Sequence, residues 1–578
     1  MKQPGSGVSA WAVAAAVGLL SAAVFWPALK GGFVNWDDPA ILLTNTNIQT
    51  LGWAQLRWMA TSYFMTTYQP LGWLALSLIH GAFGLSPQAY HAASLLVHGV
   101  NAALLCRLGC RLLSPSCEPE RKTLWACAAA AVLWGVHPLQ AQSLAWASEL
   151  PDLLATTFFL ASLLAYLRRR TNLSWVLFSA SLLCRWKGIS LPIVLLAIDA
   201  VVLRRHKEGW TRLFTEKAPF FAAALAAVLV NADAKASMAG FGHVAARPYE
   251  ACVGVLFYLW KIVWPWDLVP LYAIDGAANP LGLSLAAAAL AVLGLTALVI
   301  VLRRRAPALL AVWVCYAAAL APPLLFSQDG PLFAMDHYAY LSTLGLAPLA
   351  ASGWLALGRR GRTWAGLAAA LITALWTGLS LRQASYWKDS ITLWEHVLAV
   401  DPGSYVAGTN LGAAFFDEGR YPEGIAAWRR HLQKHPDDKL AAQDLQRGLE
   451  ALGKSKDQPG QREHNLGIDR FERGQVEEAL DHFAKALALD PRLARTHNNM
   501  AIALYGQGRF QEALQHCDAA VRLEPRNADF LSDRGTVVAR LGRLNEAEAD
   551  LKKALKIAPE HAKAKQALAL LNGIIKRP

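Results

Sequence analysis

Charge is what this sequence has least of. Asp, Glu, Lys and Arg make up only 17% of its 578 residues, against about a quarter in a soluble domain. Hydrophobic residues reach 54%, and the mean hydropathy is +0.27. An ordinary water-soluble globule is therefore excluded for most of the chain, which leaves burial in lipid. Cysteine is sparse as well. The eight present lie mostly inside apolar runs, and no spacing among them suggests a metal or disulfide framework. The first apolar run, about 9–29, lacks a small-residue cleavage site, so it is expected to be a retained span and not a signal peptide. The scarcity of charge ends near Leu381. Beyond it the chain is dense in Glu, Arg, Lys and Asp, which divides it into a membrane part, 1–382, and a soluble part, 383–578.

A net charge of +13 could suggest a nucleic-acid partner. The basic residues cluster instead between apolar runs, as Arg168-Arg169-Arg170, Arg204-Arg205, Arg303-Arg304-Arg305 and Arg359-Arg360. That pattern is the cytoplasmic anchoring of a membrane protein, and no nucleic-acid partner is expected. About eleven runs approach the length of a helical span, near 9–29, 89–113, 124–140, 150–167, 172–185, 189–203, 218–232, 281–302, 307–326, 338–357 and 363–381. With the N-terminus inside, the basic clusters fall on alternate loops. The long aromatic-rich loops 30–88 and 233–280, and the soluble part, then lie on the extracytoplasmic side.

The soluble part is periodic. Pro491, Pro525 and Pro559 recur every 34 residues, as do Ala479, Ala513 and Ala547, and Ala486, Ala520 and Ala554. That interval is the tetratricopeptide period, with small residues where two helices touch and proline closing the second helix. Repeats are expected near 405–436, 460–491, 494–525 and 528–559, with a polar insertion at about 437–459. A half repeat at 385–402, from Tyr386-Trp387-Lys388-Asp389 to Asp401-Pro402, would join them to the last span. The fold class is thus all-α, a polytopic helical bundle followed by an α-solenoid, and such arrays offer a groove to peptides or partner helices.

Ionisable residues near a membrane are costly unless used. Five clusters sit at the outer helix ends: Asn35-Trp36-Asp37-Asp38-Pro39, His137-Pro138, Ser148-Glu149-Leu150-Pro151-Asp152, Arg185-Trp186-Lys187-Gly188 and Asp336-His337-Tyr338-Ala339-Tyr340. Single members have plainer roles available. Asp38 before Pro39 suits a helix start, Ser148 and Asp152 can cap, and Lys187 can snorkel. Paired acids directly after the first span are harder to explain as caps.

The string Phe33-Val34-Asn35-Trp36-Asp37-Asp38-Pro39 resembles the acidic motif in the first external loop of the GT-C glycosyltransferases. The order that follows is most similar to the transmembrane and tetratricopeptide repeat-containing O-mannosyltransferases and their bacterial relatives: Tyr68-Gln69-Pro70-Leu71, His137-Pro138, Pro151-Asp152-Leu153-Leu154, the Lys187 turn, Tyr338-Ala339-Tyr340-Leu341, then repeats. Departures occur at Gln69, near Glu149 and at His337, where that pattern tends to carry a basic residue. The resemblance implies inverting transfer of a sugar from a polyprenyl-phosphate donor to an acceptor, a protein or peptide hydroxyl, recruited by the repeats. It implies a bacterial inner-membrane location with the site facing outward. Asp37 or Asp38 would be the base, and Lys187, Arg185 and Arg247, with Lys261 as an alternative, would meet the donor phosphate. His137, Glu149, Asp152, Asp336, His337 and Tyr340 would position substrate or hold a divalent metal, which the sequence leaves open. An O-antigen-ligase-like transferase and a non-catalytic envelope scaffold are the competing readings.

Overall fold

The computed structural model describes residues 9–65, 67–114, 119–236, 247–273, 284–326, 332–454, 459–559 and 561–575. The chain forms two compact units, Met1–Ala407 and Gly408–Pro578. The half-repeat segment Tyr386–Val400 therefore belongs to the first unit, because its contacts are with the membrane part.

Among the described residues, six helices are long and apolar enough to cross a membrane: Pro87–Leu113, Ala147–Leu167, Trp210–Ala232, Leu285–Leu302, Pro307–Leu325 and Arg359–Lys388. Arg121–Gly135 and Pro138–Ala145, bent by 56°, make a seventh if the pair is one span. The protein is an integral membrane protein. The remaining apolar runs are helical but short or interrupted. Ala10–Val24 has 15 residues and Thr171–Cys184 has 14. The 189–203 run is the helix Leu191–Ala197 widening into a π turn at Ile198–Val202. The 338–357 run passes through a 3-10 turn at Thr343–Gly345 before the helix Leu346–Ala356. The interruptions fall where polar clusters leave the bundle, at His137-Pro138, Arg185–Ser190 and Asp336–Tyr338.

Small residues set the closest packing. Ala10–Val24 crosses Pro87–Leu113 where Gly18 meets Gly99, and a Cβ on Gly99 would come within 3.0 Å of the Gly18 carbonyl. Close backbone approach of this kind suits helices in lipid, where apolar burial drives no association. The loop 30–88 folds over the bundle through Trp53–Thr61 and Pro70–Phe83. Its aromatics divide, with Trp73 buried among Ile41, Leu42, Ile48 and Leu76 and Trp53 exposed. One element breaks the all-α pattern. Tyr272–Ala273 pairs antiparallel with Leu332–Ala334, Tyr272 opposite Ala334.

The second unit continues as antiparallel helix pairs. Tyr405–Asp417 leads to Tyr421–Lys434, Pro459–Glu472 to Val476–Leu489, Ala494–Gly506 to Phe510–Leu523, and Ala528–Arg540 to Leu544–Ile557, with Ala562–Ile575 as the last helix. The polar insertion is itself a helix, Lys439–Lys454. The in-phase alanines Ala479, Ala513 and Ala547 are fully buried. Gly474, Gly508 and Gly542 turn the first helix of each pair into the second with φ of +76°, +78° and +79°, a region that favours glycine.

Candidate active site

The acidic turn is built outward from the end of the first helix. After Gly31 the chain extends, bends at Asp37-Asp38, and resumes as a helical turn at Pro39. Proline there needs no amide donor. Asp38 is fully buried. Its carboxylate accepts from the Val34 amide at 3.0 Å, from the Ser148 amide at 3.1 Å, and from the Ser148 hydroxyl. Burial pushes its pKa up to about 6, against the pull of these hydrogen bonds. Asp38 thus fastens the turn to the start of the helix that carries Glu149 and Asp152. Asp37 is different. No hydrogen bond holds its carboxylate among the described residues. Burial raises its pKa, and the Arg185 guanidinium opposes that rise.

Tryptophans wall the turn. Trp36 stacks on Trp146 with centroids 4.4 Å apart and planes within 5°, and Trp146 stacks in turn on Trp387 at 6.2 Å. Trp394 meets Trp36 edge-on. The half-repeat segment bonds directly to the motif. The Gly32 amide donates to the Lys388 carbonyl at 2.8 Å, the Asn35 amide to Ser390 Oγ at 2.9 Å, and Trp394 Nε1 to Asn35 Oδ1 at 2.6 Å. The sequence places Trp36 in the acidic motif and Trp387 and Trp394 in the half repeat, with no sign that Trp146 joins them.

Beside the turn lies a cluster of four ionisable side chains, Glu149, Asp152, Arg185 and Lys187. Arg185 stands 3.3 Å from Asp152 and 3.8 Å from Glu149, and donates to Gln69 Oε1. Lys187 donates to Asp152 at 2.8 Å and sits 5.3 Å over the Tyr338 ring. The His337 amide donates to Gln142 Oε1 at 2.9 Å. Burial, and next the charge of Lys187, hold the His337 imidazole well below its ordinary pKa. The structure thus brings Asp37, Asp38, Glu149, Asp152, Arg185, Lys187 and His337 to one end of the bundle.

A small cavity of about 20 Å³ opens here, with Asp152, Lys187, His337 and Tyr338 on its polar wall. Its apolar wall includes Phe159, Ala319 and Leu341, which also line an apolar groove of about 130 Å³ between helices. A charged pocket and a lipid-like one therefore share a wall.

Other expected site residues stand apart. Tyr340 is the exception, since it lines the same cavity, although its hydroxyl is turned to His98 Nδ1 at 2.8 Å and Asn101 Nδ2 at 3.1 Å. His137 accepts from the Leu139 amide at Nδ1 and places Nε2 3.0 Å from the Ile262 carbonyl, so it organises the bend at Pro138. Asp336 accepts from the Tyr272 hydroxyl at 2.8 Å, a contact set by the small sheet, and burial pushes its pKa up to about 7. Lys261 is committed to the carbonyls of Trp266 and Asp267. The Arg247 side chain lies outside the described residues.

A divalent ion has one candidate cluster among the described residues, Glu149, Asp152 and His337, with ligand atoms within 4.8 Å of one another. Glu149 Oε2 and His337 Nδ1 are buried without a hydrogen-bond partner. Arg185 and Lys187 nonetheless both pair with Asp152 already, and Arg185 also stands 3.8 Å from Glu149. An incoming dication would have to displace them against like charge, so the donor set does not suit a resident metal.

Two tetratricopeptide repeat families match the chain, over residues 467–508 and 498–562. The chain is 27% identical over 188 residues to mouse Protein O-mannosyl-transferase TMTC3, covering 29% of this chain and 19% of that protein. It is 28% identical over 153 residues to mouse Protein O-mannosyl-transferase TMTC2, covering 24% and 17%. With Drosophila melanogaster Tmtc3 it shares 29% over 168 residues, covering 24% and 18%. The matches span about a fifth of the length of these relatives. Solved structures similar to part of this chain include tetratricopeptide repeat proteins. The first TPR of Spaghetti (RPAP3), bound to an HSP90 peptide, is 26% identical and covers 21% of this chain and 95% of that one, with a TM-score of 0.20. YrrB, a TPR protein with an unusual peptide-binding site, is 20% identical over 31% and 81%, with a TM-score of 0.19. At the level of family, this membrane protein with tetratricopeptide repeats is similar to the TMTC protein O-mannosyltransferases.

Proposed function

We propose that this chain is a GT-C-type glycosyltransferase that moves a sugar, with inversion, from a polyprenyl-phosphate donor to a hydroxyl of a protein acceptor. The observation that carries this reading is that the polar cavity at Lys187 and the apolar groove share the wall formed by Phe159, Ala319 and Leu341. A lipid phosphate has that chemistry, a charged head on a long apolar tail.

In this reading the acceptor hydroxyl gives its proton to Asp37 as its oxygen attacks the anomeric carbon. The bond from that carbon to the phosphate oxygen breaks, and the lipid phosphate leaves with the electron pair. Lys187, held in place by Asp152, meets the charge that develops on the departing oxygen. Arg185 keeps Asp37 available as a carboxylate. Asp38 positions the turn and does not accept the proton, because its oxygens are already engaged.

The site faces the extracytoplasmic side of a bacterial inner membrane, and the repeats lie on that side and raise the local concentration of acceptor. Reporter fusions after Gly81 and after Ile575 should report the same side, and opposite sides would break this arrangement.

The test is transfer by the purified protein to a serine-containing peptide, read by mass spectrometry. Polyprenyl-phosphate mannose should serve as donor and GDP-mannose should not, with Lys187→Ala slower by about 10²–10³-fold. Transfer from the nucleotide sugar, or no turnover of any lipid-linked sugar, would contradict the reading.

A further inference from the structure

The third helix pair of the solenoid carries two histidines that meet across it. His497 stands on Ala494–Gly506 and His516 on Phe510–Leu523. Their Nδ1 atoms lie 3.0 Å apart, with ring centroids at 5.3 Å and planes inclined by 33°. Both side chains are half-buried, so each keeps an edge open to water. The pairing is specific to this repeat. One repeat earlier the same two positions hold Glu463 and His482, and one repeat later they hold Leu531 and Asp550.

The hydrogen bonds fix where the protons sit. His497 Nε2 lies 3.2 Å from the Pro491 carbonyl. A carbonyl oxygen only accepts, so Nε2 carries the proton and Nδ1 presents its lone pair. That lone pair accepts from the Nδ1–H of His516. An imidazole anchored through one nitrogen to a backbone carbonyl, with a lone pair on the other, is the arrangement metal-binding histidines take. The spacing fits as well, since two nitrogens held about 2.0–2.1 Å from one ion stand roughly 3 Å apart. Burial lowers the pKa of both rings, which keeps them neutral, and Arg522 adds to the effect on His497. Glu512, one turn before His516, is engaged in an exposed pair with Arg509, a contact that costs little to release. An ion between the two rings displaces one neutral hydrogen bond, whereas at Asp152 it would displace two cations.

We propose that His497 and His516 form a site for a divalent transition-metal ion, Cu²⁺ or Zn²⁺, which staples the two helices of this repeat. Imidazole nitrogen suits both ions. Binding moves the His516 proton from Nδ1 to Nε2 through water, so both rings bind neutral and no net proton is released. Glu512 and water complete the coordination. The proposal does not depend on the transferase reading.

The test uses the full-length protein in detergent, without a polyhistidine tag. Cu²⁺ binding is read by electron paramagnetic resonance and Zn²⁺ binding by calorimetry. Wild type should bind Cu²⁺ with a spectrum that carries two imidazole nitrogens, and should release it on acidification to about pH 5 as the rings protonate. His497→Gln and His516→Gln should each remove that spectrum and weaken Zn²⁺ by roughly 100-fold, since losing a ligand costs at least as much as losing its outer partner. His516→Cys keeps a ligand and should retain Zn²⁺, which a folding defect would not allow. Zn²⁺ should raise the midpoint of thermal unfolding in wild type and leave the double Gln variant unmoved. His206→Gln, a histidine outside the repeats, should change none of these readings. The two-nitrogen spectrum persisting in the double Gln variant, equal Zn²⁺ binding by that variant and wild type, or equal loss in His206→Gln would overturn the site.

Discussion

Trp394 donates from its indole Nε1 to the side-chain oxygen of Asn35 at 2.6 Å, across 359 residues of sequence. A helix that reads as half of a tetratricopeptide repeat thereby becomes part of the acidic turn, two residues from Asp37. The neighbouring bonds from Asn35 to Ser390 and from Gly32 to Lys388 tie the same strand of chain along three points.

This tie sets where the protein can be divided. A chain ending at Ser404 should keep turnover of a short peptide acceptor and lose modification of a full-length protein acceptor. A chain ending at Arg382 should lose both. Trp394→Phe keeps the ring and removes the donor, and it should lower kcat several-fold with little change in donor binding, at a typical hydrogen-bond value of about 1 kcal/mol. Unaltered peptide turnover in the Arg382 truncation would show that the half repeat does not support the site.

Asp336 supplies a pH dependence of stability. Its folded-state pKa is raised from 3.8 to about 7 by burial, so folding favours its protonated form. That stabilisation is complete below the unfolded pKa and is lost as pH rises through about 7. Asp336→Asn retains a donor and acceptor but has no charge to bury. The midpoint of thermal unfolding of wild type, relative to Asp336→Asn, should therefore fall between pH 5 and pH 8. A constant difference across that range would place the charge of Asp336 outside the balance.

Chelation should leave the proposed transfer reaction intact. Arg185 and Lys187 both pair with Asp152, and Arg185 also stands 3.8 Å from Glu149, so treatment with EDTA should change the rate of transfer by less than about two-fold. Loss restored by added Mn²⁺ or Mg²⁺ would show that an ion displaces these cations in the working protein.

Much of this architecture was legible in the sequence because it repeats or accumulates. Alanines and prolines returning every 34 residues mark the solenoid, and long apolar runs mark the bundle. The breaks were harder to read. A run such as 189–203 is apolar enough to suggest a span, yet the turn at Arg185–Ser190 and the π turn at Ile198–Val202 shorten it. The site was legible as charged clusters at helix ends, but not as a division of labour. Asp37 and Asp38 are adjacent and chemically identical. Only the fold separates the one bonded to Ser148 from the one facing Arg185. The partnership of Asn35 with Trp394 has no local signal, since it joins segments at opposite ends of the first unit.

The central claim is that Asp37 accepts the proton of an acceptor hydroxyl. The direct measurement is the rate of mannose transfer from polyprenyl-phosphate mannose to a serine peptide by purified wild type, Asp37→Asn and Asp38→Asn, with donor binding followed in parallel. Asn at position 37 preserves size and removes the base. The account predicts a fall of about 10²–10⁴-fold for Asp37→Asn with donor binding retained, and a smaller loss for Asp38→Asn that tracks its stability. Near wild-type transfer by Asp37→Asn would contradict it.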